Sequence, residues 1–228
     1  MYTSDLLYIL ILIMGVVSMI ASARVNSVFD KYSRNRSMSG MTGADTARRM
    51  LQAAGITDVT ICQVGGKLSD HYDPINKRLC LSEAVYGVSS VAAIGVAAHE
   101  CGHAIQHQEN YLPLSIRAAI LPLANIGSRA GIPLILLGTI FSFNHFLINV
   151  GILVFSFAVL FQLVTLPVEF DASRRAVKLT ESYGILASTE ADDCKKVLRA
   201  AAMTYVASAA IAVLQLLRLM ALFGRRRD

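Results

Sequence analysis

The 228 residues carry a net charge of +5, are 54 % apolar and only 16 % charged. With a positive mean hydropathy, that composition excludes a disordered chain and an ordinary soluble domain, and it places part of the protein in lipid. The basic residues cluster beside apolar segments, as in Arg24, Lys31, Arg34 and Arg36 and again in Arg225, Arg226 and Arg227, which fits anionic headgroups; no nucleic-acid motif is present, so nucleic acid is not an expected partner.

Taken in order, Leu6 to Ala23 is an uncharged apolar run about as long as a bilayer-spanning helix needs. Ala21-Ser22-Ala23 imitates a signal-peptidase site, but the run is long for a signal core and Asp5 stands where a signal peptide wants basic residues. An uncleaved anchor over residues 1–23 is therefore expected. The basic stretch Arg24 to Ser39 argues for the cytoplasmic side. Thr42 to Asp45 predicts a helix to about Ala54, with Thr42 as N-cap, Asp45 in the first turn and Gly55 as the stop. Val59 to Val64 predicts a short strand. Ser69 to Tyr72 and Arg78 to Ser82 flank the turn-forming residues Asp73 to Lys77 and predict a β-hairpin. Its second strand either forms the lip of a cleft, where a peptide pairs with a strand edge, or only covers the core. His71 is a candidate site residue, weighed against a structural or exposed histidine. Cys62, Cys80, Cys101 and Cys194 show no Cys-x-x-Cys spacing and read as reduced, mostly buried thiols.

A helix from Val88 or Ser89 to about Gln108 carries His99-Glu100-Cys101-Gly102-His103. The four-residue spacing puts His99 and His103 on one face, about a turn apart, where both imidazoles can reach one zinc ion. Glu100 stands beside them, able to take a proton from water and hand it to a leaving amine, which is the chemistry of peptide-bond hydrolysis. The plainer reading is a helix with two incidental histidines and a solvated glutamate. His107 lies about 12 Å of rise from His99, too far to share the ion. Cys101 and Gly102 read as core filling on the other face.

Leu121 to Phe143 and Phe146 to Leu166, joined by Asn144-His145, predict a transmembrane hairpin within residues 116–166; either Arg129 in its first arm snorkels, pairs or faces a cavity, or that arm starts nearer Gly131. Catalytic zinc takes three protein ligands and an open position, and beyond the hairpin Glu169 is the candidate third ligand, with Asp171 as the alternative. Against both stands a pair of surface acids where a helix leaves the membrane. Arg174 or Arg175 could stabilise the oxyanion of a tetrahedral intermediate, or contact headgroups. Ala191 to Arg199 reads as an amphipathic helix leading to a fourth apolar run, Ala200 to Phe223, with Arg218 reaching out to headgroups. The peptidase part accordingly divides between residues 24–115 and 167–199, and residues 200–228 form a membrane-spanning or membrane-embedded helix with a basic tail.

Leu68 to Pro74, Leu81-Ser82-Glu83, His99 to His103 and Leu166 to Arg175, with the anchor before them, resemble the YugP-like family of membrane zinc metallopeptidases over nearly the whole chain. The resemblance implies a bacterial integral membrane zinc peptidase. A more distant similarity to HtpX-type membrane proteases maps their ligand glutamate onto Glu169 and the aspartate that backs their site onto Ser173, so that backing role shifts to Asp171 or is absent. The fold expected is mainly α, an integral membrane zincin-like metalloprotease with a small β-hairpin or sheet. One Zn2+ per chain is expected on His99, His103 and Glu169, with Glu100 as general base and then acid. The expected setting is a bacterial cell membrane with the site on the cytoplasmic side, and the expected substrates are peptides or proteins, membrane proteins among them. Two other readings compete. A zinc site inside the bilayer would draw an aspartate from a later span, and no later apolar run contains one. A membrane scaffold or chaperone-like protein would keep only a structural or vestigial metal, and has no need of Glu100.

Overall fold

The computed structural model describes residues 2–223; Met1 and residues 224–228, among them the basic tail Arg225, Arg226 and Arg227, lie outside the described residues. In chain order the elements are α1 (Tyr2–Ser33), α2 (Gly43–Ala53), β1 (Thr60–Val64), β2 (His71–Asp73), β3 (Arg78–Ser82), α3 (Glu83–Tyr86), α4 (Val91–Gln108), α5 (Leu112–Ile140), α6 (His145–Ser182) and α7 (Ser188–Phe223). The protein is mainly helical with one small sheet, and α1, α5, α6 and α7 are long and apolar enough to cross a membrane. All four are longer than the apolar runs that announce them, although α5 stops at Ile140, short of Phe143 where its run was expected to end. Hydropathy marks what suits lipid, whereas a helix continues wherever its backbone hydrogen bonds do. Thus α6 passes through Pro167, whose ring removes one backbone donor, and continues to Ser182, so the second hairpin arm and Glu169 share one helix.

The described residues divide into two compact units, one made of residues 2–21, Ser115–Pro167 and residues 204–223, the other of Ser22–Leu114 and Val168–Met203. In the first, α5 approaches α6 through glycines. A Cβ on Gly131 would stand 2.8 Å from Phe155 Cβ, and one on Gly127 would strike the Val154 carbonyl oxygen. In lipid, where apolar burial gives helices little reason to associate, such small residues supply close packing instead. Ile135, Ile148, Phe155, Val159 and Leu219 make a small core, while Leu123, Ile126, Leu136, Leu153 and Leu163 are exposed, as lipid-facing residues should be. Asn144 Oδ1 accepts from the backbone nitrogens of Phe146 (3.1 Å) and Leu147 (3.2 Å) and caps α6, so His145, predicted to lie in the turn, is already helical. Arg218, expected to reach outward, instead lays its guanidinium 4.6 Å from the Tyr8 ring centroid.

The second unit begins its folding logic at the predicted cap. Thr42 Oγ1 accepts from the Asp45 backbone nitrogen (3.1 Å) and Asp45 Oδ2 from that of Thr42 (3.2 Å), a reciprocal capping box at the start of α2. Gly55, at φ +70°, turns the chain off that helix. The core gathers Met50 of α2, Leu79 and Leu81 of β3, most of α4 from Val91 to Ala98, Ala176 of α6 and Val197 of α7. Small residues set how closely these helices meet; a Cβ on Gly95 would come 2.9 Å from Cys194 Sγ.

Two expectations are corrected in the sheet. Its order is β1-β3-β2, with β1 parallel and β2 antiparallel to β3. β3, the strand nearest in sequence to the metal-motif helix, is therefore central and has no free edge; β2 is an outer strand. Cys62 and Cys80 are not reduced thiols but a disulfide, because the register sets them directly opposite each other on β1 and β3 with Cα atoms 4.6 Å apart. Strand register creates that pair, so no linear spacing motif could announce it. Cys101 and Cys194 are free and buried as expected, and burial pushes the Cys194 thiol up to about 12.

Candidate metal centre

Helix α4 enters the core behind an N-cap from Ser90, whose side chain accepts from the Ala93 nitrogen at 3.2 Å. Two turns on, His99 and His103 stand edge to face, ring centroids 4.7 Å apart. The carboxylate of Glu169, from α6, closes the group. Its Oε2 is 3.2 Å from His99 Nε2 and 3.7 Å from His103 Nε2. One donor atom from each of the three lies within 4.8 Å of the others. Nitrogen and oxygen ligands about 2.0–2.1 Å from a tetrahedral zinc sit roughly 3.3 Å from one another, so this donor set fits that ion in chemistry and in spacing.

Each imidazole is gripped from behind. His103 Nδ1 is 3.0 Å from Gln106 Oε1, and that amide is fixed the right way round because Gln106 Nε2 donates to Val168 O (2.9 Å) and to Asp171 Oδ2 (3.0 Å). Since the amide oxygen can only accept, Nδ1 of His103 carries a proton, and Nε2 is the nitrogen turned toward Glu169. His99 Nδ1 rests 3.2 Å from Ser173 Oγ. Such partners orient the imidazoles of a metal site and raise their basicity. Neither Gln106 nor Ser173 was expected to act here. Both were available as spacings: Ser173 is one turn beyond Glu169, and Gln106 three residues beyond His103, on the faces that already carried ligands.

The electrostatics follow the contacts. Burial alone would favour neutral Glu169, but hydrogen bonds from His103 and His99 reverse this and hold the carboxyl well below its usual range. Burial likewise opposes charge on His103, yet the hydrogen bond to Glu169 and the nearby Glu100 carboxylate raise its affinity for a proton. Glu100 is only 8 % exposed, and its carboxylate is near enough to His103 to favour a proton on that ring. Asp171 is tilted toward its neutral form by burial, then held ionised by Gln106, Arg175 and Arg174.

Asp171 is thus not gathered with the three donors but lies behind them, on the far side of Gln106. Arg174 pairs with Asp171 Oδ1, and Arg175 reaches Asp171 Oδ2 (2.6 Å) and Glu109 (2.7 Å), so both guanidiniums are engaged with carboxylates. His71 is exposed on β2, its Nδ1 2.8 Å from the Ser69 carbonyl, and does not join the group. His107 is likewise apart, its Nδ1 hydrogen-bonded with Tyr72 Oη at 2.9 Å and so tying β2 to α4. Gly102, expected to face away, lies only about 60° around α4 from His99. A Cβ there would come 2.7 Å from Ala172 O, so Gly102 is where α4 and α6 touch.

The chain belongs to the family described as "Putative neutral zinc metallopeptidase", which it matches over residues 7–224. Among curated proteins it is similar to "Putative membrane protease YugP" of Bacillus subtilis (strain 168), 48 % identical over 208 residues, which is 91 % of this chain and 92 % of that protein. No solved structure matches the chain. Family and apolar helices together make this a membrane protein of a zinc peptidase family.

Gln106 gives a direct check on how the ligands are held. Gln106→Leu is expected to lower zinc affinity by about ten- to a hundredfold, the usual cost of losing a group that orients a metal-bound imidazole. Competition with a chromophoric chelator measures it; unchanged affinity would mean that Gln106 only fills space.

Proposed function

We propose that the protein hydrolyses peptide bonds as a zinc metallopeptidase anchored in the membrane, with residues 24–115 and 167–199 forming its peptidase part and residues 1–23, 116–166 and 200–228 its membrane segments. The observation that carries this reading is the convergence of His99, His103 and Glu169 from two helices beside the buried Glu100. The three donors would hold one zinc ion per chain. When bound, zinc polarises water and the scissile carbonyl and so lowers the barrier to attack.

The chain's own residues do the rest. Glu100 accepts the proton of the attacking water and delivers it to the leaving amine nitrogen, which departs neutral. Gln106 and Ser173 keep both imidazoles in register, and Asp171, clamped by Arg174 and Arg175, keeps the Gln106 amide from flipping. The outer edge of β2, joined to α4 through Tyr72 and His107, offers backbone groups to an extended peptide, a mode that recognises chain direction more than side chains. Membrane proteins with unfolded segments are the substrates such a site would meet. We place the peptidase part on the cytoplasmic side of a bacterial cell membrane, on the strength of Arg24, Lys31, Arg34 and Arg36. The Cys62–Cys80 disulfide argues the other way, since disulfides persist mainly in oxidising compartments.

The purified protein is expected to contain one zinc per chain and to cleave an unfolded membrane protein. Cleavage should stop on chelation and return with added zinc. Zinc without any cleavage would favour the scaffold reading, and cleavage untouched by chelation would sink the metallopeptidase.

A further inference from the structure

The face of α6 opposite the core meets α7 in a groove of about 560 Å³ that the hydrolytic reading does not use. Its floor is apolar, with Val177 and Leu198 beneath Phe170, whose side chain is 47 % exposed. Its walls are basic: Arg174 and Lys178 from α6, Lys195 and Arg199 from α7, against the single carboxylate of Glu181. Arg174 is committed to Asp171, but Lys178, Lys195 and Arg199 are exposed and have no ion-pair partner among the described residues. Three uncompensated cations around an apolar slot form an amphiphilic site, unlike a solvated charged face, which has no apolar floor.

The place of the groove along the chain says what would fill it. Phe170 lies four residues past Leu166, the end of the second hairpin arm, which on one continuous helix is about 6 Å of rise. Arg199 immediately precedes the last apolar run. The headgroup layer on each side of a bilayer is roughly 5–8 Å thick, so Phe170 and Arg199 fall at its level, Lys195 at about 7 Å of rise at its outer edge, and Lys178 at about 18 Å of rise at the far end of the groove. We propose that this groove binds an anionic phospholipid, its phosphate between Lys195 and Arg199 with Lys178 adding positive charge from the outer end, and the start of an acyl chain against Phe170 and Leu198. Charge complementarity selects the anionic headgroup, and the apolar floor selects a lipid over a free phosphate. Ser173, which backs His99, is also on the groove wall, so the lipid would border the candidate metal centre. Binding of this kind does not depend on whether the protein is a hydrolase.

The full chain in neutral detergent, titrated with phosphatidylglycerol or phosphatidylcholine and read by native mass spectrometry, tests it. Phosphatidylglycerol is expected to be retained at least about tenfold better, and the combined K178E, K195E and R199E variant should lose that preference. The same charge change made at the anchor, as R24E, K31E and R34E, should leave it intact. Should charge reversal unfold the chain, the milder K195Q and R199Q pair is expected to reduce retention severalfold. Equal loss in the groove and anchor variants would overturn the proposal in favour of general surface charge. No headgroup preference would also overturn it, as would displacement of the lipid by inorganic phosphate alone at matched concentration.

Discussion

Glu100→Gln is expected to leave zinc bound and abolish most hydrolysis. Glutamine keeps the shape of the side chain but cannot accept a proton at neutral pH, and general acid–base groups of this kind contribute roughly a hundred- to ten-thousandfold. The metal should remain, because the three donors proposed for it, His99, His103 and Glu169, are not altered. Burial sharpens the expectation: a carboxylate only 8 % exposed has little water to substitute for it as a proton acceptor. Metal analysis beside a cleavage assay makes the measurement. Equal cleavage by both proteins would remove Glu100 from the mechanism, and loss of zinc from the variant would recast it as part of the metal site.

A single methyl group is expected to be nearly as damaging when placed at Gly102. Gly102→Ala puts a carbon 2.7 Å from Ala172 O and 3.1 Å from Ala172 Cα, and both of these are backbone atoms of α6 that cannot rotate aside. The helices must separate instead, at a cost of about 1–3 kcal/mol for overpacking of this type. Two of the three donors ride on α4 and the third on α6, so the separation falls directly on the 3.2 Å and 3.7 Å spacings that bring Glu169 to the rings. Zinc affinity and cleavage should therefore drop together while the chain stays folded. Gly15→Ala, where no atom lies within 4 Å of the added carbon, is the matched control and should do neither. Wild-type zinc affinity in Gly102→Ala would show that the helix contact does not set the site.

The residues that read well from the sequence are those whose meaning is local. A reciprocal cap needs only Thr42 and Asp45, three positions apart. Bringing two imidazoles together on one helix face needs only the four-residue interval from His99 to His103, and a segment suited to a membrane only an uncharged run of sufficient length. The residues that read badly are those whose meaning comes from a distant segment. Cys62 acquires its partner 18 residues away through a parallel pairing that puts β3 in the middle of the sheet. Asp171 looks like a rival ligand beside Glu169 until α6 turns it toward Gln106 and the arginines. Ser173 looks like a missing aspartate until its hydroxyl is found against His99.

By itself, then, the sequence determined a helix face carrying two histidines, a neighbouring acid, four segments suited to lipid and a short list of acids that could join the histidines. Periodicity and hydropathy are properties of neighbouring residues, and neighbours suffice to state them. Only the tertiary structure decided which acid meets the histidines and which groups steady them. That choice rests on how closely α4 can approach α6 at Gly102, and close approach is a relation between backbones that no run of residues contains.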